Sequence, residues 1–229
     1  MNIKDTTASF KSVRVWDLPT RAFHWLLVAA VAGLFVTSSI DGDAIIWHSR
    51  LGYAVASLLL FRLVWGVVGG YWSRFGSFAP NPRGLPDYLK SGTTLRSGAG
   101  HNPLGALSVL GMLAALLLQV ATGLISENKD GFVGPLNVFV TESTARLATG
   151  YHKSIGQPVI ICLVLLHLAA IAFYFFKKNE NLVTPMVRGD KVLPAGTPAS
   201  RDDALSRIGA IAILSICTAL VAWLVSLSA

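Results

Sequence analysis

Apolar residues fill five long stretches of the chain, and polar residues collect between them. The stretches run roughly from Ala22 to Ile40, Trp47 to Trp72, Asn102 to Ile125, Gly156 to Phe176 and Ile208 to Leu227. Each approaches the roughly 20 residues that a helix needs to cross about 30 Å of hydrocarbon. Helices are required there, because backbone polar groups in lipid must be satisfied within the segment. Asn102 followed by Pro103 is a strong helix start, an N-cap and then a residue with φ already set. The fourth helix is clearest from Gly156; if it begins before His152, Pro158 kinks it.

Composition supports this reading. Hydrophobic residues make up 53% of the 229 positions and charged residues only 14%, about half of what a soluble domain carries. The net charge of +7 is explained by membrane topology rather than by nucleic acid. Fourteen Lys and Arg residues fall in the amino tail and in the loops after the second and fourth spans, against four on the other side. By the positive-inside rule the tail is cytoplasmic and the carboxyl end is periplasmic. Trp16, Trp25, Trp47, Trp65 and Trp72 stand near span ends, where an interfacial belt would put them. The amino end is too polar and too long before its first apolar run for an ordinary cleavable signal, so the first span serves as the insertion signal.

The expected fold is an all-α membrane protein, a four-helix transmembrane bundle with a fifth C-terminal transmembrane helix. Its parts are a cytoplasmic tail over 1–21, the four-helix core over 22–178, a cytoplasmic linker over 179–207 and the fifth helix over 208–229. MVRGDKVLPAGTPASRDDALS, residues 186–206, reads as a polar linker, and the last span as an appendage.

Histidines carry the chemistry. His24 opens the first span at its cytoplasmic end, His48 the second at its outer end, and His101 the third at its cytoplasmic end. His152 stands at the outer start of the fourth span, with His167 fifteen residues further on. Fifteen helical residues rise about 22 Å and return to within about 60° of one face. Two histidine pairs at two depths fit two haems, each iron held from opposite sides of its porphyrin. The outer pair is His48 with His152; the inner pair is His167 with either His24 or His101, and spacing alone does not choose. A lone histidine at a span end is more often interfacial than a ligand, but His167 lies well inside hydrocarbon, where an ionisable group needs a partner or a function. Arg62, fourteen residues beyond His48, either snorkels to the interface or pairs with a haem propionate, and Arg50 is placed to do the same at the outer haem. There is no C-x-x-C-H motif for covalent haem, and Cys162 and Cys217 both lie inside apolar runs.

Several stretches resemble a known family. VRVWDLPTRAFHWLL (13–27), WHSRLGY (47–53), LLLFRLVWGVVGG (58–70), GHNPLGALSVL (100–110) and NENLVTPMVRGDK (179–191) are similar to bacterial cytochrome b561 proteins and to the cytochrome b subunits of membrane-bound nickel–iron hydrogenases. The resemblance implies a four-helix di-haem core, bis-histidine ligation of two non-covalent haems b and quinone-linked electron transfer. It implies His24 with His167 and His48 with His152 as axial ligands of the irons, leaving His101 near a quinone pocket or a propionate, or simply structural.

The expected function is therefore electron transfer between a periplasmic c-type cytochrome or hydrogenase and membrane quinone, in the bacterial inner membrane. A second reading is a stand-alone quinone reductase that oxidises a small periplasmic reductant such as superoxide. A third, a transporter or metal permease, predicts polar residues within the spans, and Gln119 is nearly the only long one besides Arg62 and His167.

Overall fold

A computed structural model describes residues 9–40, 42–78, 99–127 and 132–227. Five helices in it are long and apolar enough to cross a membrane. They are α1 (Leu18–Ser38), α2 (Ala44–Val68), then, after a short α3 (Phe75–Phe78), α4 (Pro103–Leu124). The fourth span is a 36-residue helix in three parts: α5 (Glu142–Tyr151), a π turn (His152–Gly156) and α6 (Gln157–Lys177). A short α7 (Val183–Arg188) precedes the last span, α8 (Ala204–Ser226). The all-α membrane bundle is as expected.

The helix starts differ from the apolar runs for local reasons. α1 begins four residues before Ala22, because Asp17 caps it by accepting the Thr20 amide at 2.8 Å and Pro19 pre-sets its first turn. α4 begins where the Asn102-Pro103 signal put it, with Asn102 accepting the Gly105 amide at 2.7 Å. The fourth helix does begin before His152, at a Thr141 N-cap. Pro158 has no N–H to give the Ser154 carbonyl, and the wider π turn lies directly before it. That turn absorbs about one residue, which leaves His152 and His167 within about 40° of one face.

α2 is the central helix of the bundle. Its Val55, Leu58, Leu59, Phe61 and Trp65 are buried against α1, α4 and α8. The last span does not stand apart: α8 packs along α2 through Ala210, Cys217 and Val221. The stretch read as a plain linker holds α7 and a strand, β2 (Asp190–Pro194), which pairs antiparallel with β1 (Phe10–Arg14) of the amino tail. Gly189, at φ +95°, ends α7, and its carbonyl accepts the amides of Val15 and Trp16 at 2.9 and 3.0 Å. The tail, the segment after α2 and the linker therefore meet on one face. Ser200 joins all three, accepting the Trp72 amide at 3.1 Å and donating to the Val15 carbonyl at 2.7 Å.

Two tryptophans depart from the interfacial belt. Trp16 and Trp65 are buried, because Trp65 stacks on Phe61 and its indole N–H points at the Asp17 carboxylate, while Trp16 packs on His101. Lys4, Asp41, Arg83, Lys90, Arg96, Lys129 and Asp130 lie outside the described residues.

Candidate functional site

At one end of the bundle His48 and His152 face each other. Their ring centres are 6.3 Å apart with planes at 77°. His48 lies one turn inside α2, and its Nδ1 is 3.2 Å from the Leu34 carbonyl oxygen and 3.3 Å from Thr37 Oγ1 on α1. His152 opens the π turn, and its Nδ1 is 2.9 Å from the Gln119 carbonyl oxygen on α4. An imidazole that donates Nδ1–H to a carbonyl keeps its lone pair on Nε2 and is held in one ring orientation. Both rings thus offer the same nitrogen. Two imidazole nitrogens bound to one metal at about 2 Å each set ring centres about 6 Å apart, so this pair fits bis-histidine ligation. Gly123 lies flat against the His152 ring; a Cβ there would come within 2.9 Å of Cε1.

At the other end His24 and His101 each lie within electrostatic reach of His167, and His101 of Arg62 as well. Among the described residues, His24 Nδ1, His101 Nδ1 and Arg62 Nη1 are buried without a hydrogen-bond partner. Buried polar nitrogens are normally satisfied, so three orphans at one end fit a group that brings its own acceptors, such as carboxylates. Arg62 is 3% exposed and its guanidinium lies 4.7 Å over the Phe75 ring. It does not snorkel. His101 precedes α4 and sits between Trp16 and Phe78, with ring centres at 4.8 and 4.5 Å. Burial pushes its imidazole pKa down to about 4, helped by Arg62 and then His167. It is a neutral group at ordinary pH.

The family model for prokaryotic cytochrome b561 matches residues 15–189. The chain belongs to that family. It is a membrane b-type cytochrome, and the family implies haem b and electron transfer. It is similar to the probable Ni/Fe-hydrogenase B-type cytochrome subunit of Rhizobium leguminosarum bv. viciae, 26% identical over 80% of this chain and 90% of the relative. It is likewise similar to the probable Ni/Fe-hydrogenase 1 B-type cytochrome subunit of Escherichia coli K12, 26% identical over 76% of this chain and 88% of that one. The corresponding Azotobacter chroococcum protein is 23% identical, over 82% of this chain and 91% of its own length. No solved structure matches the chain at a significant level.

Of the residues singled out in the cytochrome's sequence, His48 and His152 are brought into ring contact, whereas His24, His101 and His167 are within electrostatic reach at the other end. Arg50 differs. Its guanidinium lies 5.1 Å over the exposed Trp47 ring, and no hydrogen bond or ion pair ties it to the histidine pair among the described residues.

Two functional groups were not legible beforehand. Asp17 is fully buried at the junction of α1 and α2. Its carboxylate accepts Gly70 N at 3.1 Å, Ser73 Oγ at 2.7 Å and Trp65 Nε1 at 3.3 Å. The signal available was WDLPTR, an N-cap ahead of a proline. Gln119, noticed only for its polarity, is the other group.

Proposed function

We propose that this cytochrome holds two haems b and couples quinone in the membrane to a redox protein at the α5 end. His48 and His152 hold one haem. His24 and His167 hold the other. The observation that carries the reading is the His48–His152 geometry: facing rings 6.3 Å apart, each with Nδ1 committed to a neighbouring helix. Each haem supplies a one-electron couple tuned by its axial ligands and surroundings.

The chain's own residues divide the remaining work. The Leu34 and Gln119 carbonyls fix the tautomers of the outer ligands and make them better donors. Arg62, buried and with Nη1 unpartnered among the described residues, neutralises a propionate at the inner haem. Phe75 supports it from below. His101, without a metal role, lines the inner end, where quinone would approach. The positive-inside rule puts the β1–β2 face in the cytoplasm, so the His48–His152 end and the projecting α5 are periplasmic.

A hydrogenase-like or cytochrome c-like protein is the expected periplasmic partner, in line with the names of the relatives. Arg146 is tied to Glu142 and Arg50 lies over Trp47. Arg50 and Lys153 share that face with Asp43, Glu127 and Glu142, so its charge is mixed among the described residues, which favours a protein partner over a small anion such as superoxide.

The test is a haem count on purified protein. Wild type should carry about two haems b per chain. His48→Ala or His152→Ala should lose one, His24→Ala or His167→Ala the other, and His101→Ala neither. Full haem content in all four ligand variants would discard the assignment.

A further inference from the structure

Gln119 grips His152 at two points. Its backbone carbonyl oxygen is 2.9 Å from the His152 ring Nδ1, and its side-chain Nε2 donates to the His152 carbonyl oxygen at 2.9 Å. One residue of α4 thus holds both the ring and the backbone of the same histidine across the bundle. The rest of the side chain is equally confined. Among the described residues Gln119 Oε1 is buried without a hydrogen-bond partner, and it rests against Gly156, where any Cβ would overlap it.

The place of this grip is unusual. The His152 carbonyl begins the π turn and also receives the Gln157 amide, five residues on. A π turn is less favourable than an α turn and persists where something outside the helix holds it. Pro158 removes the amide that would otherwise close on Ser154. The Gln119 amide supplies a donor to the carbonyl at which the turn opens. The turn in turn sets the rotation of His152 relative to His167, and hence whether its ring meets His48.

Resting on the ligand reading above, we propose that Gln119 is the positioning residue of the outer haem. It locks the His152 π turn, and with Gly156 and Gly123 it fixes the angle and donor strength of that ligand. The Nδ1 of each ring meets a carbonyl and a threonine hydroxyl on a neighbouring helix, Gln119 O and Thr122 Oγ1 at 3.4 Å for His152 and Leu34 O and Thr37 Oγ1 for His48, but among the described residues only His152 has a side chain clamped on its backbone carbonyl.

The experiment compares Gln119→Leu and Gly156→Ala with wild type in detergent-purified protein. It reads the ferric low-spin electron paramagnetic resonance signals, the midpoint potentials of both haems and the retention of each haem on dilution. Gln119→Leu keeps the bulk and removes the donor. Gly156→Ala keeps Gln119 and drives it off its seat. Both should alter the same low-spin signal, the one lost in His48→Ala, shift that haem's potential, and weaken its retention about 10- to 100-fold. The inner haem's signal and potential should stay at wild-type values, which also reports that the variants fold. An outer signal and potential unchanged in Gln119→Leu would overturn the proposal, as would equal changes at both haems. If instead wild type binds fewer than two haems, or His48→Ala loses none, the ligand reading itself fails, and the two failures are told apart by that variant.

Discussion

Asp17 accepts the backbone amide of Gly70 at 3.1 Å, across fifty-three residues of chain. The same carboxylate caps α1 and accepts Ser73 Oγ, and Thr20 Oγ1 pairs with Ser73 Oγ at 2.7 Å. The start of the first span and the end of the second are thereby pinned at one buried point, next to the inner histidines. His24 and Arg62 each lie about two helical turns from this point, along α1 and back along α2.

Removing that point should loosen the inner end first. Asp17→Ala strands the Gly70 amide, the Trp65 indole and the α1 cap, and should cost at least about 2 kcal/mol. Gly70→Ala should do the same from the other side, because its Cβ would overlap Asp17 Oδ2. Thermal bleaching in detergent checks both: the midpoint should fall, and the double variant should fall little further than either single one.

His101 makes the inner end sensitive to acid. Its ordinary pKa is near 6.5 and burial, with Arg62 and His167, brings it to about 4 in the folded protein. The unfolded chain therefore takes up a proton in a range where the folded one does not. Its contribution to stability is fully present above about 6.5 and is lost as pH falls from there toward about 4. His101→Phe, which keeps the packing between Trp16 and Phe78, should remove a part of the acid loss on the order of 2 kcal/mol. Melting midpoints at pH 7 and pH 5 measure it; an identical acid loss in the variant would refute the account.

Arg62 depends on the ring beneath it. A Cβ on Gly66 would overlap the Phe75 ring, so Gly66→Ala should displace Phe75 and cost about 1–3 kcal/mol through overpacking and lost cation–π contact. Phe75→Leu in that background should recover part of the loss. On the proposed assignment of two haems, retention of the one held by His24 and His167 should weaken in Gly66→Ala and that of the other should not.

The β1–β2 ribbon offers a test of the pairing of tail and linker. Ser12 and Val192 are directly opposite in the register, within the reach of a disulfide. With the native cysteines confined to α6 and α8, Ser12→Cys with Val192→Cys should lose both new thiols to alkylation after mild oxidation. Persisting reactivity of both would mean that tail and linker do not pair.

Asp202 holds that ribbon to the bundle. Burial alone would raise its pKa, but the hydrogen bond from Arg207 at 3.0 Å, the Leu18 amide at 3.1 Å and the charge of Arg14 bring it below the ordinary carboxylate range. A carboxylate lowered in this way stabilises above its unfolded pKa near 3.8 and ceases to as pH falls below it. Asp202→Asn should therefore lower the melting midpoint at pH 7 and matter least in strong acid.

The sequence determined what depends on composition and short spacing. Apolar runs long enough for lipid fixed five spans, Asn102-Pro103 fixed a start, and the rise of a helix placed His48 and His152 at one end and His24, His101 and His167 at the other. Residue matches brought the family into view. Tertiary structure alone decided which polar atoms meet. Trp16 and Trp65, reading as belt residues, are buried because Asp17 and His101 stand beside them. The linker pairs with a tail more than 170 positions away, and α8 lies along α2 because both present small or apolar faces. Gln119 looks like any amide until the π turn puts the His152 carbonyl in front of it. Such bonds join segments distant in the chain, and their energy depends on direction and on tenths of an ångström, which a residue's own neighbours do not encode.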